Sequence, residues 1–162
     1  MSLKEMIETG LPLNRKERYF TGTVIPMIIC KDNFRHFGTF LDLIGVTEYS
    51  EIKAKPEESN IEFFTEYSLK ESIYSCEDKK RFTHIPETKD TPDLMILMKR
   101  SDQKRLLIII EAKMYGFYKE QSLHDQIKQQ AVTKEFLKTH LNLDEIDIHH
   151  IILIPDQLLN LA

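Results

Sequence analysis

Two apolar runs separated by a short polar stretch constrain the fold of this chain more than any other feature. The runs are LMILM at 94–98 and LLIII at 106–110, and the seven residues KRSDQKR lie between them. This pattern predicts an antiparallel β-hairpin whose polar connection is centred near Asp102. Strands that are apolar on both faces are typical of the middle of a sheet. The hairpin is therefore expected to form the centre of a covered sheet.

The symmetry of the hairpin predicts which residues lie opposite each other. Pairing about the middle of the connection places Leu94 opposite Ile110. The same register extends one step further, to Asp93 opposite Glu111. Opposed residues share a face, with Cβ atoms about 5 Å apart, and strand alternation puts Lys113 on that face as well. Two carboxylates and an ammonium are thus predicted to converge at one edge of the sheet.

These three residue types favour a metal site. Neighbouring carboxylates repel each other, and a divalent cation removes that repulsion. Hard cations such as Mg²⁺ prefer carboxylate oxygens and water, while a lysine ammonium stabilises developing negative charge. The combination suits phosphodiester hydrolysis. The alternative interpretation is a structural ion-pair cluster, in which Asp93 is only a turn residue after Pro92.

The segments PD at 92–93 and EAK at 111–113 resemble the signature of the PD-(D/E)XK nuclease superfamily, which has the restriction-endonuclease-like fold. The resemblance covers residues 60–155, with a helix before the hairpin and a helix and a strand after it. It implies an α/β three-layer sandwich, in which helices flank a mixed central sheet.

The resemblance also implies roles for individual residues. Asp93 and Glu111 match the positions that bind the catalytic metal, Mg²⁺ or Mn²⁺, and Lys113 matches the position that assists the attacking water. In the family, an acidic residue on the helix before the hairpin often completes the metal site. Glu66 is the first choice for that residue because it is flanked by apolar side chains, and Glu62 is the second.

Residues after the hairpin supply further candidates for the site. Several branches of the superfamily place a glutamine on the following helix, and Gln126 and Gln130 lie one turn apart there. Tyr115 and Lys119, in the loop after the second strand, are candidates for substrate contact. For the tyrosine, packing against the protein is the alternative, and the glutamines are also compatible with a polar surface helix.

Periodicity and end signals predict the other elements. Pro26 favours an edge or irregular position for the first of them, and Asn60 is a plausible N-cap for the long helix. A helical crossover predicts that the last strand runs parallel to the second hairpin strand. In chain order the expected elements are an extended stretch at 23–30, a helix at 34–44, a solvated connection at 51–60, a long helix from residue 60, an edge strand at 81–85, the hairpin, a helix at 122–140 and a strand at 147–154.

Length and composition predict one compact domain, because 162 residues with 41% hydrophobic content can bury a core. Residues 1–59 are expected to form a helical and extended segment packed on a nuclease-like core at 60–162. The final PDQLLNLA resembles the start of a helix too short to be stable alone. It suggests one domain cut from a longer chain, with a further C-terminal domain.

Several other function classes are disfavoured. No apolar run approaches the ~20 residues that span a bilayer, and MSLKEMIETG lacks a signal-peptide core, so a cytoplasmic protein without a membrane partner is expected. Cys30 and Cys76 have no zinc-site spacing. The six histidines lack ligand spacing, and His149 and His150 point to opposite faces of a strand. The sequence contains neither a GxSxG elbow nor a glycine-rich phosphate loop.

The sequence therefore predicts a divalent-metal-dependent nuclease that hydrolyses phosphodiester bonds, in DNA rather than RNA, with homodimerisation left open. The alternative is a non-catalytic domain of the same fold that binds nucleic acid or protein. The complete acid, acid and lysine set favours the enzyme. The net charge of −4 favours the alternative, because binding to the phosphate backbone normally uses clustered basic residues.

Overall fold

One four-stranded mixed sheet organises the chain. The computed structural model describes residues 19–49, 52, 55–87, 91–99, 105–113, 120–140 and 146–154. The first three strands are mutually antiparallel, and the fourth runs parallel to the third. In spatial order, which is also chain order, the strands are β1 (Asn60–Thr65), β2 (Leu94–Lys99), β3 (Arg105–Ala112) and β4 (Ile146–Leu153). The expected α/β class with a mixed sheet is confirmed.

Helical residues pack against both faces of this sheet. Ile29 and Phe37 join the core on the face that carries Ile96, and Leu137 packs on the opposite face beside Ile109. Of the helices that the structure describes, none combines the length and apolar character that a bilayer crossing requires. The α-helices whose bounds the structure gives are α1 (Ile25–Phe34), α2 (Phe37–Leu43), α3 (Leu69–Tyr74) and α4 (Glu120–His140).

The predicted hairpin and its register are confirmed. β2 and β3 are antiparallel, and the pairing extends without a slip from one end to the other. Alternate residues of both strands face the two helical layers, which is why both strands are apolar throughout. The pairs with the predicted numbering are Leu94 with Ile110, Ile96 with Ile108, and Met98 with Leu106.

The second half of the chain also follows the prediction closely. The helix expected at 122–140 is α4, and the strand expected at 147–154 is β4, parallel to β3. The helix expected at 34–44 is observed as α2. It is followed by Gly45 at φ +77°, a backbone conformation that glycine adopts without steric penalty. The helix start expected within 155–162 lies outside the described residues.

The long helix predicted from Asn60, with Asn60 as its N-cap, is wrong. Residues 60–65 form β1, which pairs along its whole length with β2. Phe63 packs on one face of the sheet and Phe64 on the other, as alternation along a strand requires. Since β2 is buried, the polar backbone groups along its second edge need partners, and β1 supplies them. Helix α3 begins only at Leu69, after Ser68, whose Oγ accepts a hydrogen bond from the Glu71 amide.

Two predicted extended segments are also wrong. The stretch 23–30 is helical: Pro26 lies in the first turn of α1, where its missing N–H is not needed. An apolar run of this length does not distinguish a buried strand from a helix. The edge strand expected at 81–85 is absent there, since the edge beside β2 is occupied by β1. In the connection expected to be solvated, Ile52 and Pro56 are buried.

Shortening a side chain on the central strand β3 should destabilise the protein far more than the same change on the edge strand β4. Ile108 of β3 is 0% exposed, whereas Ile152 of β4 is 38% exposed. We expect Ile108→Ala to lower the free energy of unfolding by roughly 2–5 kcal/mol, because a cavity remains. Ile152→Ala should lower it by less than about 1 kcal/mol. Urea denaturation measures both values, and equal losses would contradict the placement of β3 at the centre.

Candidate functional site

The end of β3 positions the first two side chains of the candidate site. Glu111 and Ala112 are the last residues of the strand, and Lys113 follows at once. The Lys113 amide donates a hydrogen bond of 2.8 Å to the Leu153 carbonyl, so pairing with β4 continues past the end of β3. Glu111 is only 2% exposed. The backbone that carries both functional side chains is therefore held on a central strand.

Asp93 lies beside this strand end because of the β2–β3 register. It directly precedes β2, and its Oδ2 accepts a hydrogen bond of 2.8 Å from the Ala112 amide. The carboxylate thus lies against the peptide that links Glu111 to Ala112. The structure brings Asp93, Glu111 and Lys113 together at one end of the β2–β3 hairpin.

Lys113 and Glu111 form a buried ion pair. The Lys113 Nζ lies 2.6 Å from the Glu111 Oε1, and the two side chains are 11% and 3% exposed. They lie two residues apart, so alternation puts both on the same face. A hydrogen bond between two charged groups is short and stronger than one between neutral groups. The ammonium therefore compensates the buried carboxylate.

Gln130 of α4 supplies the second hydrogen bond to the same carboxylate. Its Nε2 donates to the Glu111 Oε2 at 2.5 Å, and Gln130 is 0% exposed. Both oxygens of Glu111 therefore accept a hydrogen bond, one from a lysine and one from an amide. Gln126 lies one turn earlier on α4 and is half-buried.

His150 joins the site through Gln130, which the sequence analysis did not foresee. The His150 Nε2 lies 2.8 Å from the Gln130 Oε1. A carboxylate can only accept hydrogen bonds, so the Gln130 NH₂ must face Glu111 and the amide oxygen must accept from His150. Nε2 therefore carries a proton. The β3–β4 register pairs His150 with Ile109, which puts the imidazole on the Glu111 face.

Burial favours the neutral form of the His150 imidazole. It lowers the pKa of His150 below its usual 6.5, the Lys134 charge lowers the pKa further, and the Glu111 charge opposes these effects. The signal that could have revealed His150 was the alternation of β4 combined with its parallel register to β3. His149 and His150 lie on opposite faces of β4, so they do not act as a pair, and His150 is the one on the Glu111 face.

The two other acidic candidates have different positions. Glu66 follows β1, and its amide donates a hydrogen bond of 3.4 Å to the Asp93 carbonyl, while its side chain is exposed. Glu66 lies near Asp93 because the pairing of β1 with β2 continues past the end of β1. The helix on which Glu66 was expected to share a face with Glu62 does not exist. Glu62 binds the Lys99 Nζ at 3.0 and 3.2 Å, near the hairpin connection. Glu62 is therefore wrong as a candidate for this site.

Tyr115 and Lys119, the candidates for substrate contact, lie outside the described residues. Within the described part of the chain, no group of three or more His, Cys, Asp or Glu side chains is arranged to hold a metal ion. The carboxylates brought together at the edge of the sheet are those of Asp93 and Glu111, with the backbone of Glu66 beside them.

This donor set fits a hard divalent cation. Each carboxylate oxygen has two lone pairs, so an oxygen that accepts one hydrogen bond can still bind a metal. Mg²⁺ is commonly held by one or two carboxylates, and waters and substrate phosphates complete its shell. Two carboxylates, with an amide and an ammonium behind one of them, suit Mg²⁺ or Mn²⁺ better than Zn²⁺, which prefers Cys and His.

The fold and the site define an α/β domain with an acidic site at the end of a central hairpin. Comparisons with protein-family models, with curated proteins and with solved structures find no match for this chain. Its function must therefore be inferred from the chemistry of the residues at this edge of the sheet.

Removing the lysine should destabilise the protein when divalent cations are absent. We expect Lys113→Met to lower the free energy of unfolding by roughly 3–5 kcal/mol, because Glu111 remains buried without its cation. The matched control is Lys138→Met. Lys138 pairs with Glu135 at 2.8 Å on the surface, and losing such a pair changes stability by at most about 1 kcal/mol. The measurement is urea denaturation in metal-free buffer. Similarly small losses of stability in both variants would contradict a compensated buried pair.

Stability should fall in acid through His150. A pKa lowered by folding means that the unfolded state binds the proton more readily. The stabilisation from a neutral His150 is therefore complete above pH 6.5 and decreases as the pH falls below it. In His150→Gln, which does not titrate, this component is absent. Urea denaturation of both proteins from pH 8 to pH 5 should show the wild type losing more stability. A constant difference across this range would contradict the expectation.

Proposed function

We propose that the protein is a divalent-metal-dependent nuclease of the PD-(D/E)XK type, which hydrolyses phosphodiester bonds in DNA. The observation that carries this proposal is the meeting of Asp93, Glu111 and Lys113 at one end of a central hairpin. The mixed sheet with helical residues on both faces supports a restriction-endonuclease-like sandwich. The helix and parallel strand after the hairpin support it as well.

Asp93 and Glu111 would hold Mg²⁺ or Mn²⁺. When bound, the cation would supply charge neutralisation at the phosphate and a lowered pKa for water. Glu66, whose amide is hydrogen-bonded to the Asp93 carbonyl, would become a third carboxylate ligand only if its exposed side chain turned toward the cation. Gln130 would hold the Glu111 carboxylate in place through its hydrogen bond to Oε2.

Lys113 would act on the reacting phosphate. Its ammonium is fixed by Glu111 at 2.6 Å and, being protonated, cannot accept a proton from water. In the hydrolysis, the water oxygen forms a bond to phosphorus as the bond to the leaving sugar oxygen breaks. The water loses a proton to solvent, and the leaving oxygen gains one. Lys113 would orient the attacking water and stabilise the negative charge that builds on the phosphate oxygens.

A specific observation also favours a second candidate, a non-catalytic nucleic-acid- or protein-binding domain of the same fold. Each charge at the strand end has a partner within the protein: Lys113 binds Glu111, and Asp93 binds the Ala112 amide. A structural ion-pair cluster would show the same contacts. The two candidates differ in whether Asp93 and Glu111 also bind a divalent cation.

The first experiment compares cleavage by four proteins in millimolar Mg²⁺ or Mn²⁺. The wild type should degrade at least one of linear, nicked, branched or single-stranded DNA. Asp93→Asn should abolish cleavage, and Lys113→Met should lower its rate by ~10²–10³, the usual loss for one stabilising group. Glu62→Gln is the matched control, since this acid lies on the same sheet but binds Lys99. It should cleave like the wild type.

Thermal melts separate the two candidate functions. For the nuclease, Mn²⁺ should raise the melting temperature of the wild type, because a ligand of the native state stabilises it. The increase should be larger for Lys113→Met, where the cation replaces the missing ammonium, and absent for Asp93→Asn. A wild type that is inert on every substrate and melts at the same temperature with and without Mn²⁺ would overturn the proposal in favour of the binding domain.

A further inference from the structure

A buried amide connects the candidate metal site to a histidine on the edge strand. The Gln130 Nε2 donates to the Glu111 Oε2 at 2.5 Å, and its Oε1 accepts from the His150 Nε2 at 2.8 Å. Gln130 has no exposed surface, so water does not compete for either end of the amide. The roles proposed above for Asp93, Glu111 and Lys113 do not use His150.

The orientation of the Gln130 side-chain amide decides whether Glu111 keeps its second hydrogen-bond donor. Turning the Gln130 amide by half a turn would place its oxygen against the Glu111 oxygen, and two acceptors would then face each other. In the observed direction the amide oxygen points away from Glu111 and needs a donor of its own, because a buried carbonyl without one is unfavourable. His150 supplies this donor.

Strand β4 fixes the position of the His150 side chain, which is the hydrogen-bond donor to Gln130. His150 belongs to β4, which is paired with β3 along its whole length, and it lies opposite Ile109 on the face that carries Glu111. Burial and the charge of Lys134 lower the pKa of His150, which favours the neutral imidazole, and the contact with the Gln130 oxygen places its N–H at Nε2. Gln130 takes that N–H, because its own NH₂ is committed to Glu111.

We propose that His150 is a positioning residue of the nuclease site: it fixes the Gln130 amide, and the amide holds Glu111 in the orientation in which it binds the metal. This inference depends on the proposed function and adds to it a residue that acts from β4. Residues that orient a metal-binding group in this way commonly change metal affinity or activity 10–100-fold when they are replaced.

Three substitutions on one strand test the proposal. His150→Phe keeps a ring and removes the N–H. His150→Gln restores an N–H at the same number of bonds from the Cα and cannot titrate. His149→Phe is the matched control, because His149 is paired with Ile108 and lies on the opposite face of β4.

The primary measurement is Mn²⁺ affinity by calorimetry, without nucleic acid. His150→Phe should bind Mn²⁺ about 10–100-fold more weakly than the wild type, whereas His150→Gln and His149→Phe should stay close to it. In cleavage assays, His150→Phe should need a correspondingly higher Mn²⁺ concentration for half-maximal rate. A merely structural role would lower the melting temperature without moving this concentration.

A second pair of variants covers the case in which His150→Phe does not fold. In His150→Asn the amide is one bond shorter and does not reach Gln130, so the same loss of affinity is expected. Gln130→Met removes the amide itself, and adding His150→Asn to Gln130→Met should cause no further loss, because the residues act in series. A folded His150→Phe or His150→Asn variant that binds Mn²⁺ like the wild type would overturn the positioning role. A wild type that binds no Mn²⁺ would instead overturn the proposed function.

Discussion

The antiparallel register of β2 and β3 is the constraint on which the candidate site depends. A slip of one residue would move Asp93 to the face opposite Glu111. The slip would also exchange the two apolar faces of β2, so that Ile96 and Met95 would each meet the wrong helical layer. The packing energy of a strand that is covered on both faces therefore fixes the position of a polar site at its end.

A buried carboxylate is tolerated at this strand end because polar partners surround it. Lys113 and Gln130 each donate to one oxygen of Glu111, and His150 supports Gln130. These hydrogen bonds cross from β3 to α4 and on to β4. They offset the cost of burying a charge, and they make the orientation of Glu111 depend on how α4 and β4 are packed. The site is thus coupled to α4 and β4 as well as to the hairpin.

The same contacts explain why one arrangement is compatible with both an enzyme and a binding domain. Without a cation, the Lys113 ammonium neutralises Glu111, and the Ala112 amide satisfies Asp93. With a cation, the carboxylates would have a stronger partner, and the ammonium could interact with a phosphate. A nuclease site of this design needs the ion pair as its resting state, because two unneutralised carboxylates, one of them buried, would repel each other.

Local pattern in the sequence was sufficient for the hairpin, its register, α4 and β4, because alternation and helical periodicity are properties of neighbouring residues. It also placed Asp93, Glu111 and Lys113 together. The tertiary structure alone decided that residues 60–65 are a strand, since their backbone pairs with the open edge of β2. It also decided that His150 reaches Gln130, a contact between residues 20 positions apart that is created by packing α4 over the sheet. Neither the partner of a strand edge nor the contact between a helix and a strand is encoded in local periodicity, because both depend on where distant segments meet.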